Sequence, residues 1–307
     1  MDKEIRYLTN DSINRSEWDE WLRKAGNRRI YASSVFLDTF SPRWHAVVID
    51  DGRAFMPLTW NRKFGVSYLF QPIFVQQLGC FFTDDSYMRT VPVLIEKVSQ
   101  SFRFVDIALN EMNGFDLPGF HLTGMSNYVL RLDKPYDSLA GDYNLNTRRN
   151  INKSGKLGTE LLPCHSPSDI IRMFVRNRGK IYSGIRKINY KRLQLLLEKG
   201  MAGGFISIRA ARSPEGEIIA AACFLTDYDR YVFYFSANTP EGKRHGAMFL
   251  LIDSFVRQYA DTGMLMDFNG SVNPGVARFY EGFGAEKISY PRLKINRLGF
   301  PLRYIKK

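Results

Sequence analysis

The chain has 307 residues, 45% of them hydrophobic and 14% aromatic, a content that excludes a disordered chain and a length that predicts two domains. Its longest apolar run, Ile218 to Leu225, is far short of the roughly 20 residues that cross a bilayer. The formal net charge is +12, and it is uneven: residues 1–134 hold 16 Lys+Arg and 16 Asp+Glu, whereas residues 135–307 hold 27 and 15. Within the second half, segment 148–192 carries 12 basic residues against Glu160 and Asp169 alone. So local an excess attracts anions by focusing potential, and its readings are a solvated basic face, a phosphate-bearing ligand, an RNA or an anionic membrane surface. The amino terminus alternates charge with no apolar stretch behind it, so no signal peptide is expected. Cys80, Cys164 and Cys223 lie far apart without CxxC spacing, which argues against disulfides and a zinc site. A soluble cytoplasmic protein is the expectation.

In chain order, Asn14 or Ser16 caps an amphipathic helix carrying Trp18, Trp21, Leu22 and Ala25 at helical spacing. Strands follow at Trp44 to Ile49, Ala54 to Trp60 and Val66 to Phe70, with a turn at Asp51-Gly52. A helix from Tyr87 to Phe102 and a strand from Phe104 to Leu109 close this first set, and Leu117 to Leu132 reads as further strands and turns. Residues 142–200 read as helices that carry the basic excess. Strands then recur at Phe205 to Ala211, Ile218 to Thr226 and Tyr231 to Ser236, before a helix from Ala247 to Thr262 and a buried strand from Leu265 to Phe268. The second half thus repeats the element order of the first at a nearly constant offset. Gly52 matches Gly216, and Phe104-Val105-Asp106 matches Leu265-Met266-Asp267. A duplication of element order, with little residue identity, is the better reading.

Familiar catalytic clusters are absent. The four histidines, His45, His121, His165 and His245, show no paired spacing, and there is no GxSxG, Walker loop or GxGxxG. One segment does carry a pattern, Asp267 to Ala285. It follows the buried strand, Pro274 suits the first turn of a short helix, and Gly284 suits that helix's end. Asn273, Val276, Tyr280, Gly284 and Ala285 have the spacing of N-x-x-A-x-x-x-Y-x-x-x-G-F, the signature of the GNAT acyltransferase superfamily, which the segment resembles. The resemblance implies that Asn273 helps bind coenzyme A and that Tyr280 protonates the departing thiolate. Packing of Phe279, Tyr280 and Phe283 on the sheet is the competing reading.

A second GNAT hallmark is a pyrophosphate loop opening the helix after the third strand. Here that stretch is Pro240 to Ala247, where amides at a helix start stand beside Lys243 and Arg244. Lys243, Arg244, Gly246 and Ala247 are the expected donor-binding residues, although His245 and Ala247 fall on the loop's two glycine positions. A divergent loop in a duplicated GNAT chain is similar to the FemAB-like branch, whose best-known members move amino acids from aminoacyl-tRNA onto peptidoglycan precursors. Asn146 to Lys156 also looks like the N-x-R-x-x-I-x-K-A motif ahead of that branch's second domain.

Arg148, Arg149, Lys153 and Lys156 recur at one-turn spacings and are candidates to hold a phosphate of donor or acceptor. Tyr182, Arg186 and Tyr190 sit four apart and line a cleft or a mixed surface stripe. Gln76 and its neighbours read an acceptor or tie down a turn. Asp267 is a candidate base or a turn cap. Together these readings give an α/β protein of two packed GNAT-like domains in tandem, 1–140 and 141–307. The expected activity is transfer of an acyl group from an acyl-thioester, acyl-CoA or acetyl-CoA, to an amine, without a metal. The alternatives are an aminoacyl-tRNA-dependent transferase acting on a cell-wall precursor, and a silent GNAT scaffold that binds nucleic acid or anionic lipid.

Overall fold

The computed structural model describes residues 4–114, 119–164, 166–179, 184–270, 273–301 and 303. Leu117 and Tyr182 lie outside them. The chain divides into two compact units, 1–125 with 289–307, and 126–288. This differs from a single cut at 140: the chain from 126 onward already packs with the second unit, and its last segment returns to the first.

The first unit opens with β1 (Ile5–Leu8), α1 (Arg15–Lys24) and α2 (Ser34–Phe40). Asn14, not Ser16, caps α1, its side chain accepting from the Ser16 and Glu17 amides. The helix buries Trp18 and Leu22, and the Trp18 ring meets those of Trp44 at 4.7 Å and Phe55 at 4.9 Å. Five strands follow: β2 (His45–Ile49), β3 (Ala54–Leu58), β4 (Trp60–Lys63), β5 (Val66–Phe70) and β6 (Phe81–Phe82). One predicted strand, Ala54 to Trp60, is therefore two. Its first part pairs with β2 and β6 and its second with β5, and the break falls at Thr59, whose hydroxyl donates to the Phe70 carbonyl at 2.7 Å. Then come α3 (Val91–Ser101) and β7 (Phe104–Ala108). The helix starts at Val91, later than the predicted Tyr87, because Pro92 occupies its first turn. β5 and β7 run parallel on either side of α3 in the chain, Tyr68 opposite Phe104.

The second unit contains β8 (Leu122–Arg131) from residue 126, then α4 (Tyr136–Gly141), α5 (Leu145–Lys156), β9 (Glu160–Pro163), α6 (Pro167–Arg178) and α7 (Lys187–Ala202). The antiparallel strands β10 (Ile206–Arg212), β11 (Ile218–Thr226) and β12 (Arg230–Asn238) follow, then α8 (Pro240–His245), α9 (Ala247–Tyr259), β13 (Leu265–Asp267) and α10 (Pro274–Glu281). β12 and β13 run parallel, Arg230 opposite Leu265, as Tyr68 stands opposite Phe104 in the first unit. Each unit thus holds a strand–helix–parallel strand crossover in the predicted repeat order. α9 covers the sheet with Leu251, Ile252, Phe255 and Val256, and the Phe255 ring stacks on Phe224 at 3.9 Å. Last, β14 (Glu286–Asn296) pairs antiparallel with β7 through Arg292 to Asn296 in the first unit. Among the described residues no helix is long and apolar enough to cross a membrane.

Candidate active site in the second unit

β12 and β13 pair for only three residues, Arg230 to Val232 against Leu265 to Asp267. Beyond that level the ladder stops, and the Asn269 side-chain amide reaches across to the Tyr234 carbonyl at 3.2 Å. β12 also bulges here: Phe233 and Phe235 stand opposite Phe224 and Cys223, so that Tyr234 is the extra residue of the bulge. Burial, with Cys223 beside it, pushes the Tyr234 phenol well above its ordinary value, so it is neutral at physiological pH. A strand that leaves its neighbour and bulges opens a wedge in the sheet. A cavity of about 400 Å³ lies along this part of β12, lined by Phe233, Ser236 and Asn238 of that strand, by Gly242, Lys243 and Gly246, and by Met248, Asn273, Tyr280 and Arg178 among others.

Tyr280 reaches this cavity from α10, and its ring is held on several sides. It stacks on Phe268 at 4.6 Å, and Phe233 meets it edge-on at 6.3 Å. A buried phenol with a fixed ring beside a cavity can deliver a proton to one defined point. Asn273 also lines the cavity, and its side-chain oxygen caps α10 by accepting from the Gly275 and Val276 amides at 2.8 and 3.3 Å.

The 240–247 stretch differs from an open loop. Residues Pro240–His245 form a helix, capped by Thr239, whose hydroxyl accepts from the Gly242 amide at 2.9 Å. The Lys243 amide donates to the Thr239 carbonyl at 3.0 Å, and the Gly246 amide to the Lys243 carbonyl at 3.2 Å. The Gly242, Lys243 and Gly246 amides are thus engaged, the last two among the four residues expected to hold the donor. The two cations also separate. Lys243 lines the 400 Å³ cavity, whereas Arg244 lines a different groove with Arg172 and Arg176. Ala247 is fully buried, and Gly246 takes the left-handed conformation, φ 74°, that joins α8 to α9.

Asp267 is engaged on both carboxylate oxygens. One carboxylate oxygen accepts from Asn127 at 3.0 Å and from the Asn269 amide at 2.8 Å, and the other pairs with Arg230 at 3.1 Å. Both charged side chains are 3% exposed. This carboxylate ties β8, β12 and β13 together, and its bond to the Asn269 amide fits the other expectation, a turn cap. Arg148 is similarly engaged, its guanidinium donating to the Tyr143 and Gly141 carbonyls at the end of α4. Arg149, Lys153 and Lys156 are exposed on α5 and form no ion pair among the described residues. Gln76 belongs to the first unit, where Gln71 and Gln77 tie the turn: Gln71 donates to the Val75 carbonyl at 2.7 Å, and Gln77 accepts from the Glu111 amide at 3.1 Å. The buried Gln76 side-chain nitrogen has no hydrogen-bond partner among the described residues.

Two cavity residues were not legible as such. Arg178, half-buried at the end of α6, was one charge among the twelve of a basic segment. Asn238 ends β12, and its buried side-chain oxygen has no hydrogen-bond partner among the described residues. Nothing in the order of residues sets either apart.

Residues 145–279 match the model of the Acetyltransferase (GNAT) domain. Among solved structures the chain is similar to FemX, with a TM-score of 0.68, 12% identity and full coverage of both chains. It is similar to L-PGS from Bacillus licheniformis, at 0.59 and 13% over 95% of each chain. A tandem GNAT protein from the clavulanic acid biosynthesis pathway gives 0.53 and 13%, covering 95% of this chain and 97% of that one. No curated protein matches in sequence. The matched domain and these likenesses define the class of fold as GNAT. Within that class, the chain has the tandem-GNAT, FemAB-like form of the acyl-CoA N-acyltransferase fold.

Proposed function

We propose that the second unit transfers an aminoacyl group from an aminoacyl-tRNA to an amine, with the ester-bearing end of the RNA entering the 400 Å³ cavity. The observation that carries this reading is the helix at 240–245, which engages the Gly242, Lys243 and Gly246 amides where the resemblance expects an open pyrophosphate loop, while Arg178 and Lys243 at the cavity suit a phosphodiester. The exposed Arg149, Lys153 and Lys156 suit the rest of a polyanion. The FemAB-like motifs and the likeness in fold to FemX support the same choice.

In this reading the acceptor amine attacks the ester carbonyl. A C–N bond forms, the C–O bond to the ribose breaks, the ribose oxygen takes a proton, and the amine gives one up to solvent. Tyr280 supplies the proton to the ribose oxygen. Asn238, with its unpartnered oxygen, receives an N–H of one of the two amines. Acyl-CoA is the second reading, favoured by the match to the acetyltransferase domain; there Tyr280 would protonate a thiolate instead.

Binding separates the two donors. Transfer RNA should bind with an affinity that falls at least about tenfold between roughly 50 and 200 mM salt, and Arg178→Ala with Lys243→Ala should weaken it further. Coenzyme A should leave the melting temperature unchanged. A rise in melting temperature with coenzyme A, together with no binding of tRNA, would favour the thioester donor.

A further inference from the structure

The basic excess of residues 148–192 is not one surface. α5 carries Arg149, Lys153 and Lys156, and α7 carries a set of its own, on a face of distinct chemistry. α7 spans 16 residues, about 24 Å at 1.5 Å per residue. At 100° per residue, its buried Leu193, Leu196, Leu197 and Gly200 fall on one arc. Lys187, Ile188, Lys191, Leu195, Glu198 and Lys199, all exposed, fall on the opposite arc. Ile188 and Leu195 are 45% and 44% exposed and stand two turns apart between the three lysines. The one carboxylate on that arc, Glu198, accepts from Gln194 at 2.8 Å, and the three lysines form no ion pair among the described residues.

We infer that this face of α7 docks on an anionic lipid surface. Two aliphatic side chains held out among lysines match a bilayer interface, where the aliphatics enter the acyl boundary and the ammonium groups reach the headgroup phosphates. Charge alone would suit an RNA equally well. The aliphatics favour the bilayer, because an RNA surface offers Ile188 and Leu195 no apolar phase to enter, whereas the acyl boundary does. The aromatic residue of the helix, Tyr190, lies off the arc and faces Phe174, ring to ring at 6.2 Å. Docking through α7 is independent of which donor the cavity takes.

The test uses the full chain and sedimented vesicles, of phosphatidylcholine alone or mixed equally with phosphatidylglycerol, at about 0.1 M salt. The protein should pellet with the mixed vesicles and stay in solution with phosphatidylcholine. Reversing three charges, Lys187→Glu, Lys191→Glu and Lys199→Glu, should lower partitioning by more than about 100-fold, near fivefold for each charge removed. The pair Ile188→Ser and Leu195→Ser should lower it about tenfold while leaving tRNA binding unchanged. These positions are exposed, so the variants should keep the wild-type melting temperature. Equal pelleting with both vesicles, pelleting with neither, or vesicle binding indifferent to the aliphatic pair would overturn the inference. Loss of tRNA binding in the aliphatic pair would assign the face to RNA instead.

Discussion

Tyr280 sits between Phe268 and Phe233 with its ring at a cavity wall, while Asp267, on β13, has donors on both oxygens. These surroundings predict opposite phenotypes. Tyr280→Phe removes a hydroxyl and keeps the stack, so kcat should fall about 10²-fold with the melting temperature unchanged. Asp267→Asn removes the buried carboxylate that pairs with the buried Arg230, which should cost about 3 kcal/mol of stability. Chemical denaturation beside steady-state kinetics checks both; a stable Asp267→Asn protein that is catalytically dead would return the carboxylate to the role of base. Residue identity showed Tyr280 through its spacing from Asn273 and Gly284. It could not show that Asp267 was already paired, because its partners Asn127 and Arg230 are distant in sequence and carry no motif.

At the scale of elements, α1 and α10 announce themselves by a capping asparagine and, in α10, by Pro274 in the first turn. α8 does not. Its six residues include Pro240 and Gly242, which read as loop, and the helix forms because Thr239 caps it and Gly242 fits under β11. A Cβ at Gly242 would stand 2.2 Å from the Ile219 carbonyl oxygen, a backbone atom with little freedom to move, whereas one at Gly155 on α5 meets nothing within 4 Å. Gly242→Ala should therefore destabilise the protein by about 2 kcal/mol or more, while Gly155→Ala should stabilise it by about 0.5–1 kcal/mol. Thermal unfolding of the two variants side by side checks this; equal melting temperatures would refute the tight seat of α8. β14 escaped the sequence reading for a different reason. Pro291 lies within the strand, which usually demotes a segment, yet its carbonyl still accepts from the Leu109 amide at 2.7 Å.

For the whole molecule, the repeated order of strands and helices was legible, since hydrophobic period and turn residues are local. The return of residues 289–307 to the first unit was not, because Arg292 meets Asp106 across 186 residues of chain. The charge map was legible as a sum and not as surfaces: only folding separates Arg149, Lys153 and Lys156 on α5 from Lys187, Lys191 and Lys199 on α7. That 240–245 folds as a helix was not legible either, and the proposed preference for an RNA ester over a thioester rests on it. The most direct measurement supplies the full chain with tRNA charged with labelled amino acids and an amine-bearing cell-wall precursor, and follows label from ester to amide. Label should pass to the amine, the transfer should stop with Tyr280→Phe, and acetyl-CoA should not replace the charged tRNA. Free thiol released from acetyl-CoA, with no label leaving the tRNA, would contradict an aminoacyl-tRNA donor.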